Sequence, residues 1–137
     1  EVEKTYLLAQ ILIYPGLGNL ENNGSRLNHA KAPLLSVEDM DYYHSNYFKN
    51  ENYLSDKSAR PLISNTLIEL PKTYIFVAQF DPLFDDGYGY FKKINEQGGY
   101  AEFNEGKGLI HGHLRARHCS AKAMAEFQKI INIIANL

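Results

Sequence analysis

Apolar residues along this chain fall into two alternating patterns, compact runs and sets spaced three to four apart. The run LLAQILIYPG, residues 7–16, is rich in β-formers and is closed by Pro15 and Gly16, the pattern of a parallel strand buried on both faces. Residues 17–36 concentrate Gly, Asn and Ser without either period and predict loop. In SVEDMDYYHSNYF, Ser36 is placed to cap a helix with Asp39 three residues on, and Tyr43 and Tyr47 follow at helical spacing. Residues 49–72 are irregular again, a connection long enough to cover a site instead of merely joining two elements.

TYIFVAQF is a second strand. Residues 85–99 follow with Tyr90, Ile94 and Gln97 at helical spacing and a closing glycine pair suited to a C-cap. YAEFNEGKGLIHGH alternates and then breaks on glycines, a third strand running into a loop. AKAMAEFQKIINIIANL puts Ala123, Phe127, Ile130, Ile131 and Ile134 on one face of a closing amphipathic helix, core-facing in preference to a membrane anchor. The order strand, helix, strand, helix, strand, helix predicts an α/β fold: a parallel sheet of about three strands with flanking helices. Residues 1–137 read as a single unit, with 17–73 as a loop and helix region between the first two strands.

Length and charge narrow the partners. The 137 residues make about one domain, and the net charge of −2, from 14 basic and 16 acidic residues, gives no electrostatic reason for nucleic acid or an anionic membrane as partner. No run approaches the ~20 apolar residues of a transmembrane segment, and EVEKTYLL carries acidic residues where a signal peptide would be positive. The single cysteine, Cys119, excludes an internal disulfide framework and makes a reducing, cytoplasmic location the simplest expectation. The chain lacks an initiator methionine and enters a strand within its first residues, which suggests a sequence beginning inside a larger fold.

In a parallel α/β sheet, chemistry gathers where strands end at their carboxyl edge. Asp81 ends the second strand there, and His111, within GLIHGH, follows the third. Alone, Asp81 reads as a turn-forming aspartate before Pro82; with His111 it becomes a carboxylate able to orient an imidazole that serves a nucleophile. Asp85 and Asp86 read as acids in a helix's first turn, favourable to its dipole, with steering of the histidine loop as a secondary role. His113, Arg115, Arg117 and His118 form a solvated loop, since alternating histidines without cysteine or carboxylate partners are weak grounds for zinc. Neither metal nor cofactor is expected.

LPKTYIFVAQFDPLFDDGYGY followed by GLIHGH resembles the C-terminal part of the hormone-sensitive-lipase-like esterases and lipases of the α/β-hydrolase family, and QILIYPG and ARPLIS resemble the segments that precede those motifs. The resemblance runs from about Gln10 to the end. It implies that Asp81 is the acid and His111 the base of a catalytic triad, with Asp85 and Asp86 supporting them, acting on a small ester or lipid-like substrate. His113 stands where that branch usually has an aromatic residue. None of the seven serines (25, 36, 45, 55, 58, 64, 120) has glycine two residues before and two after, so no nucleophile elbow is present, and the His-Gly-Gly stretch of the oxyanion hole is missing too.

In the family both motifs lie upstream of the strand that LLAQILIYPG resembles. The expectation is therefore the C-terminal portion of an ester hydrolase whose serine lies on a missing N-terminal portion. Such a chain should do little alone, because losing the serine of a triad costs on the order of a million-fold in turnover. The aromatic stretch YYHSNYFKNENY could wall an acyl pocket or form the packed underside of a helix. Another class of function also fits, a non-catalytic interaction module derived from a hydrolase and pairing with itself or with a partner chain through an exposed sheet edge. A receiver-like domain phosphorylated on Asp81 lacks the acidic pair and the lysine it would need.

Overall fold

The computed structural model describes residues 7–48 and 51–137, and its centre is the strand β2 (Lys72–Phe80). Ile75, Phe76, Val77 and Ala78 are all buried, as a strand covered on both faces requires. Alternation sends Ile75 and Val77 to one face, where they meet Tyr90 and Ile94 of the helix α3 (Phe84–Glu96). Gly87 lets α3 come this close, since a Cβ there would lie 2.4 Å from Val77 Cγ1. The helix closes through bonds from the Gly98 N–H to Asn95 and from the Gly99 N–H to Ile94, at the glycine pair expected to end it.

β1 (Ala9–Ile13) and β3 (Ala101–Ile110) flank β2 in a three-stranded parallel sheet of order β1-β2-β3. The α/β class and the parallel sheet are those expected. β1 differs from its expectation: every residue in it is only half-buried. Among the described residues it pairs on one side alone, so its apolar run is not enclosed. No helix among the described residues is long and apolar enough to cross a membrane.

Between β1 and β2 lie a short helix α1 (Gly24–Asn28), the helix α2 (Val37–Tyr47), and 3-10 turns at Glu51–Leu54 and Pro61–Ile63. α2 begins as its sequence requires, with the Ser36 hydroxyl accepting the Asp39 N–H at 3.1 Å and the Asp39 carboxylate accepting the Ser36 N–H at 2.8 Å. α1 falls in a stretch expected to be loop. It has no apolar period of its own, and long-range bonds hold it: the Ser25 N–H donates to Asp85 at 2.6 Å and the Ser25 hydroxyl to the Pro82 carbonyl at 2.9 Å. The start of the chain, 1–6, and positions 49–50 of the aromatic stretch lie outside the described residues.

The closing helix α4 (Ala121–Ala135) buries a narrower face than the apolar pattern implied. Ala123, Glu126 and Ile130 are buried, while Ile131 and Ile134 are exposed. The seam that touches the body runs at spacings of three and four through those three positions; Ile131 lies round the helix from it, whereas Ile134 continues its line four residues past Ile130 and is exposed all the same.

Candidate active site

Strand register brings the two candidate side chains together. β2 and β3 pair evenly from Thr73↔Ala101 to Ala78↔Gly106, and the next partners are Phe80↔Ile110. From one pair to the next β2 advances two residues and β3 four, so β3 carries an irregularity around Lys107 and Gly108. Gly108, at φ +72°, takes a left-handed conformation there, and its N–H donates to the Gln79 side chain at 2.7 Å. An even ladder would set Phe80 opposite Gly108; the extra residues instead make Asp81 and His111 leave their strands side by side.

The two meet directly. His111 Nδ1 lies 2.8 Å from Asp81 Oδ2. Asp81 is fully buried, and its other oxygen accepts the Leu83 N–H at 2.8 Å, at the start of α3. A buried carboxylate held on both oxygens cannot turn away from the imidazole. Gly112, at φ +71°, then reverses the chain into the 3-10 turn His113–Ala116.

His113 is not in a solvated loop. It is buried, its Nδ1 sits 3.1 Å from the Ile110 carbonyl, and burial pulls its pKa below the usual imidazole value while that carbonyl opposes the shift. Its ring neighbour is Tyr14, with ring centroids 5.3 Å apart at 71°. Tyr14 also packs on His111, 4.7 Å between centroids at 57°. Its backbone has φ +37°, a conformation costing a non-glycine residue on the order of 1–3 kcal/mol. Nothing in the apolar run singled Tyr14 out; its place before Pro15 at the strand end was the one available signal.

Asp85 and Asp86 stand in the first turn of α3, as expected, but they act on the chain after β1 and not on the histidine loop. Asp85 accepts the Ser25 N–H, and Asp86 accepts the N–H groups of Leu17, Gly18 and Asn19 at 2.5, 3.0 and 3.3 Å. Burial pushes the Asp86 carboxyl up to about 6, against the pull of those donors. Beside this clamp lies a cavity of about 260 Å³ whose walls include Met40, Tyr47, Phe48, Tyr53, Leu83 and Asp86. Leu83, two residues beyond Asp81, links the cavity to the Asp81–His111 pair. Phe48 and Tyr53 stack at 4.2 Å, whereas Tyr42 and Tyr43 face solvent, so only part of the aromatic stretch lines the hollow. Among the described residues no three His, Cys, Asp or Glu side chains gather as a metal ion would need.

A family model described as alpha/beta hydrolase fold matches residues 1–115. The chain is similar to the carboxylic ester hydrolase LipN of Mycobacterium tuberculosis, 27% identical over 126 residues that make up 91% of this chain and 34% of that protein. It is also similar to the esterase LipI of the same organism, 31% identical over 110 residues covering 79% of this chain and 34% of that one. The chain thus spans about a third of the length of these relatives. The solved structure of a Pyrobaculum calidifontis esterase superposes with a TM-score of 0.86 at 23% identity, over 92% of this chain and 42% of that one, a likeness of fold.

Proposed function

The chain belongs to the alpha/beta hydrolase fold family, and from that premise we propose that it supplies the acid and base of a carboxylic-ester hydrolase of the hormone-sensitive-lipase-like branch. The observation that carries this reading is the 2.8 Å approach of His111 Nδ1 to the buried Asp81 carboxylate at the carboxyl edge of neighbouring parallel strands. An acceptor at that distance keeps the imidazole proton on Nδ1. Nε2 then holds the lone pair that takes a proton from an attacking serine and later delivers it to the departing alcohol. Among the described residues Nε2 has no hydrogen-bond partner.

The serine itself, with the donors that stabilise the oxyanion, belongs on a segment outside these 137 residues, because none of the seven serines sits in a Gly-x-Ser-x-Gly elbow. The cavity beside Leu83, lined by Tyr47, Phe48 and Tyr53 together with polar groups such as Arg60 and Asp86, has room for part of a small ester. Asp86 supports the site at one remove, by fixing the loop that carries Gly18 and Asn19 into the cavity wall, and Asp85 by holding α1 through Ser25.

Hydrolysis of a short-chain p-nitrophenyl ester tests the reading. The chain is assayed alone and mixed with a segment bearing the serine elbow and oxyanion hole. Activity in the mixture alone, abolished by His111→Ala, is the expected result. Activity of the unmixed chain would refute the external nucleophile. Activity in neither would favour the non-catalytic interaction module, for which the exposed Ile131 and Ile134 of α4 offer a surface.

A further inference from the structure

Asp81 holds one atom of the His111 ring, and one atom does not orient a plane. The Nδ1 contact fixes that nitrogen, but χ2 of histidine is a broad torsion with little preference of its own. The ring can tilt while the bond is kept, and Nε2, on its far side, travels furthest. A base whose working atom drifts this way loses the alignment that proton transfer depends on.

Tyr14 provides the second contact. Its ring lies against His111 at a centroid distance of 4.7 Å, tilted by 57°, within the range of favourable aromatic pairs. The same ring rests on His113, which the Ile110 carbonyl holds in turn. The Leu114 backbone N–H faces the phenol oxygen, so Tyr14 meets the histidine loop at His111, at His113 and at Leu114. At its other end, the Tyr14 N–H donates to the Phe76 carbonyl at 2.6 Å, tying it to the central strand. An aromatic residue at φ +37° persists only where its surroundings over-determine it, and such strain gathers at functional sites.

We propose that Tyr14 is a positioning residue, its ring setting the tilt of the His111 imidazole so that Nε2 stays aimed at the reacting serine. The inference rests on the reading of Asp81 and His111 as acid and base. It adds a residue from β1's end to a site otherwise built from the ends of β2 and β3. The hydroxyl contributes little to that aim, since the ring touches the imidazole while the oxygen meets backbone.

The native chain labelled with 15N-histidine reports the ring without any need for turnover. His111 should show the Nδ1–H tautomer, with a nuclear Overhauser contact between its ring protons and those of Tyr14. In Tyr14→Leu, which stays apolar but loses the ring, the His111 ring-nitrogen signals should shift and broaden while those of His29 and His44 hold. Tyr14→Phe, which keeps the ring, should retain the native signals. In the enzyme reconstituted with a serine segment, Tyr14→Leu should lower kcat by about a hundredfold, the usual cost of a misplacement of roughly 1 Å, with KM little changed. Tyr14→Phe should recover most of that loss. Unchanged His111 signals in a folded Tyr14→Leu chain overturn the proposal. Should that variant not fold, absence of the Tyr14–His111 contact in the native spectrum overturns it equally. A ring response in a mixture that shows no hydrolysis would uphold the positioning contact and refute the acid-and-base reading instead.

Discussion

Replacing Asp86 by asparagine should change how the stability of this chain depends on pH, in a direction its surroundings fix. Asp86 is 3% exposed, and burial pushes its pKa from 3.8 up to about 6. A carboxyl that binds its proton more tightly folded than unfolded stabilises the fold while protonated. That contribution is complete below about pH 4 and is lost as the pH rises through about 6. A shift of about two units, at about 1.4 kcal/mol each, makes the whole change about 3 kcal/mol, of which about 1.3 kcal/mol falls between pH 5 and pH 7. Set against the 5–15 kcal/mol of a typical fold, roughly, this is readily measured. Asparagine does not titrate, so the difference between the native chain and Asp86→Asn isolates this group from the other carboxyls. Urea unfolding followed by circular dichroism across that window should show the variant gaining on the native chain as pH rises. If the native chain gained on the variant, the N–H groups of Leu17, Gly18 and Asn19 would outweigh the cost of burying the charge, and the folded pKa would lie below 3.8.

Gly87→Ala would put a Cβ 2.4 Å from Val77 Cγ1 and 3.2 Å from Ile75 Cγ2, forcing α3 off β2. A loss of about 1–3 kcal/mol in urea unfolding is expected, after an offset of up to about 1 kcal/mol from alanine's better helix propensity. Ser36→Ala removes the hydroxyl that accepts the Asp39 N–H and should cost about 1 kcal/mol. In the same variant the Asp39 carboxyl, held below its usual range first of all by the Ser36 hydroxyl, should titrate closer to 3.8 by NMR.

Local signals in the sequence were the reliable ones. The α2 start was legible because the capping box needs only Ser36 and Asp39. β2 was legible because burial on both faces leaves an unbroken apolar run, and α3 because its glycine pair and its periodic Tyr90 and Ile94 agree. The candidate pair was legible as residue types in order, Asp81 and then His111, but not as a distance. The glycines of EGKGLI read as the end of a strand, whereas the ladder resumes at Ile110 after the irregularity. α1, the burial of His113 and the role of Tyr14 depend on partners between 57 and about 100 residues away, which no periodicity reports. On α4 the apolar pattern was true and the exposure of Ile131 and Ile134 was not foreseeable, because hydrophobicity marks what can be buried and not what covers it.

Acids in the first turn of a helix favour its dipole wherever in that turn they stand. The short stretch 81–86 asks more than that of its aspartates, since each grips a different segment. Asp81 takes His111 after β3, Asp85 takes Ser25 in α1, and Asp86 takes Leu17, Gly18 and Asn19 after β1. The start of α3 is therefore where two separate connections, the one after β1 at two points and the histidine loop after β3 at a third, are pinned to the carboxyl edge of the sheet. Tyr14 closes the ring of contacts from the opposite side, running from the end of β1 to the histidine loop. On the proposed reading, this explains why the acid and the base can sit on one segment and the nucleophile on another: the geometry of proton transfer is fixed within residues 14–113, and a serine has only to reach Nε2.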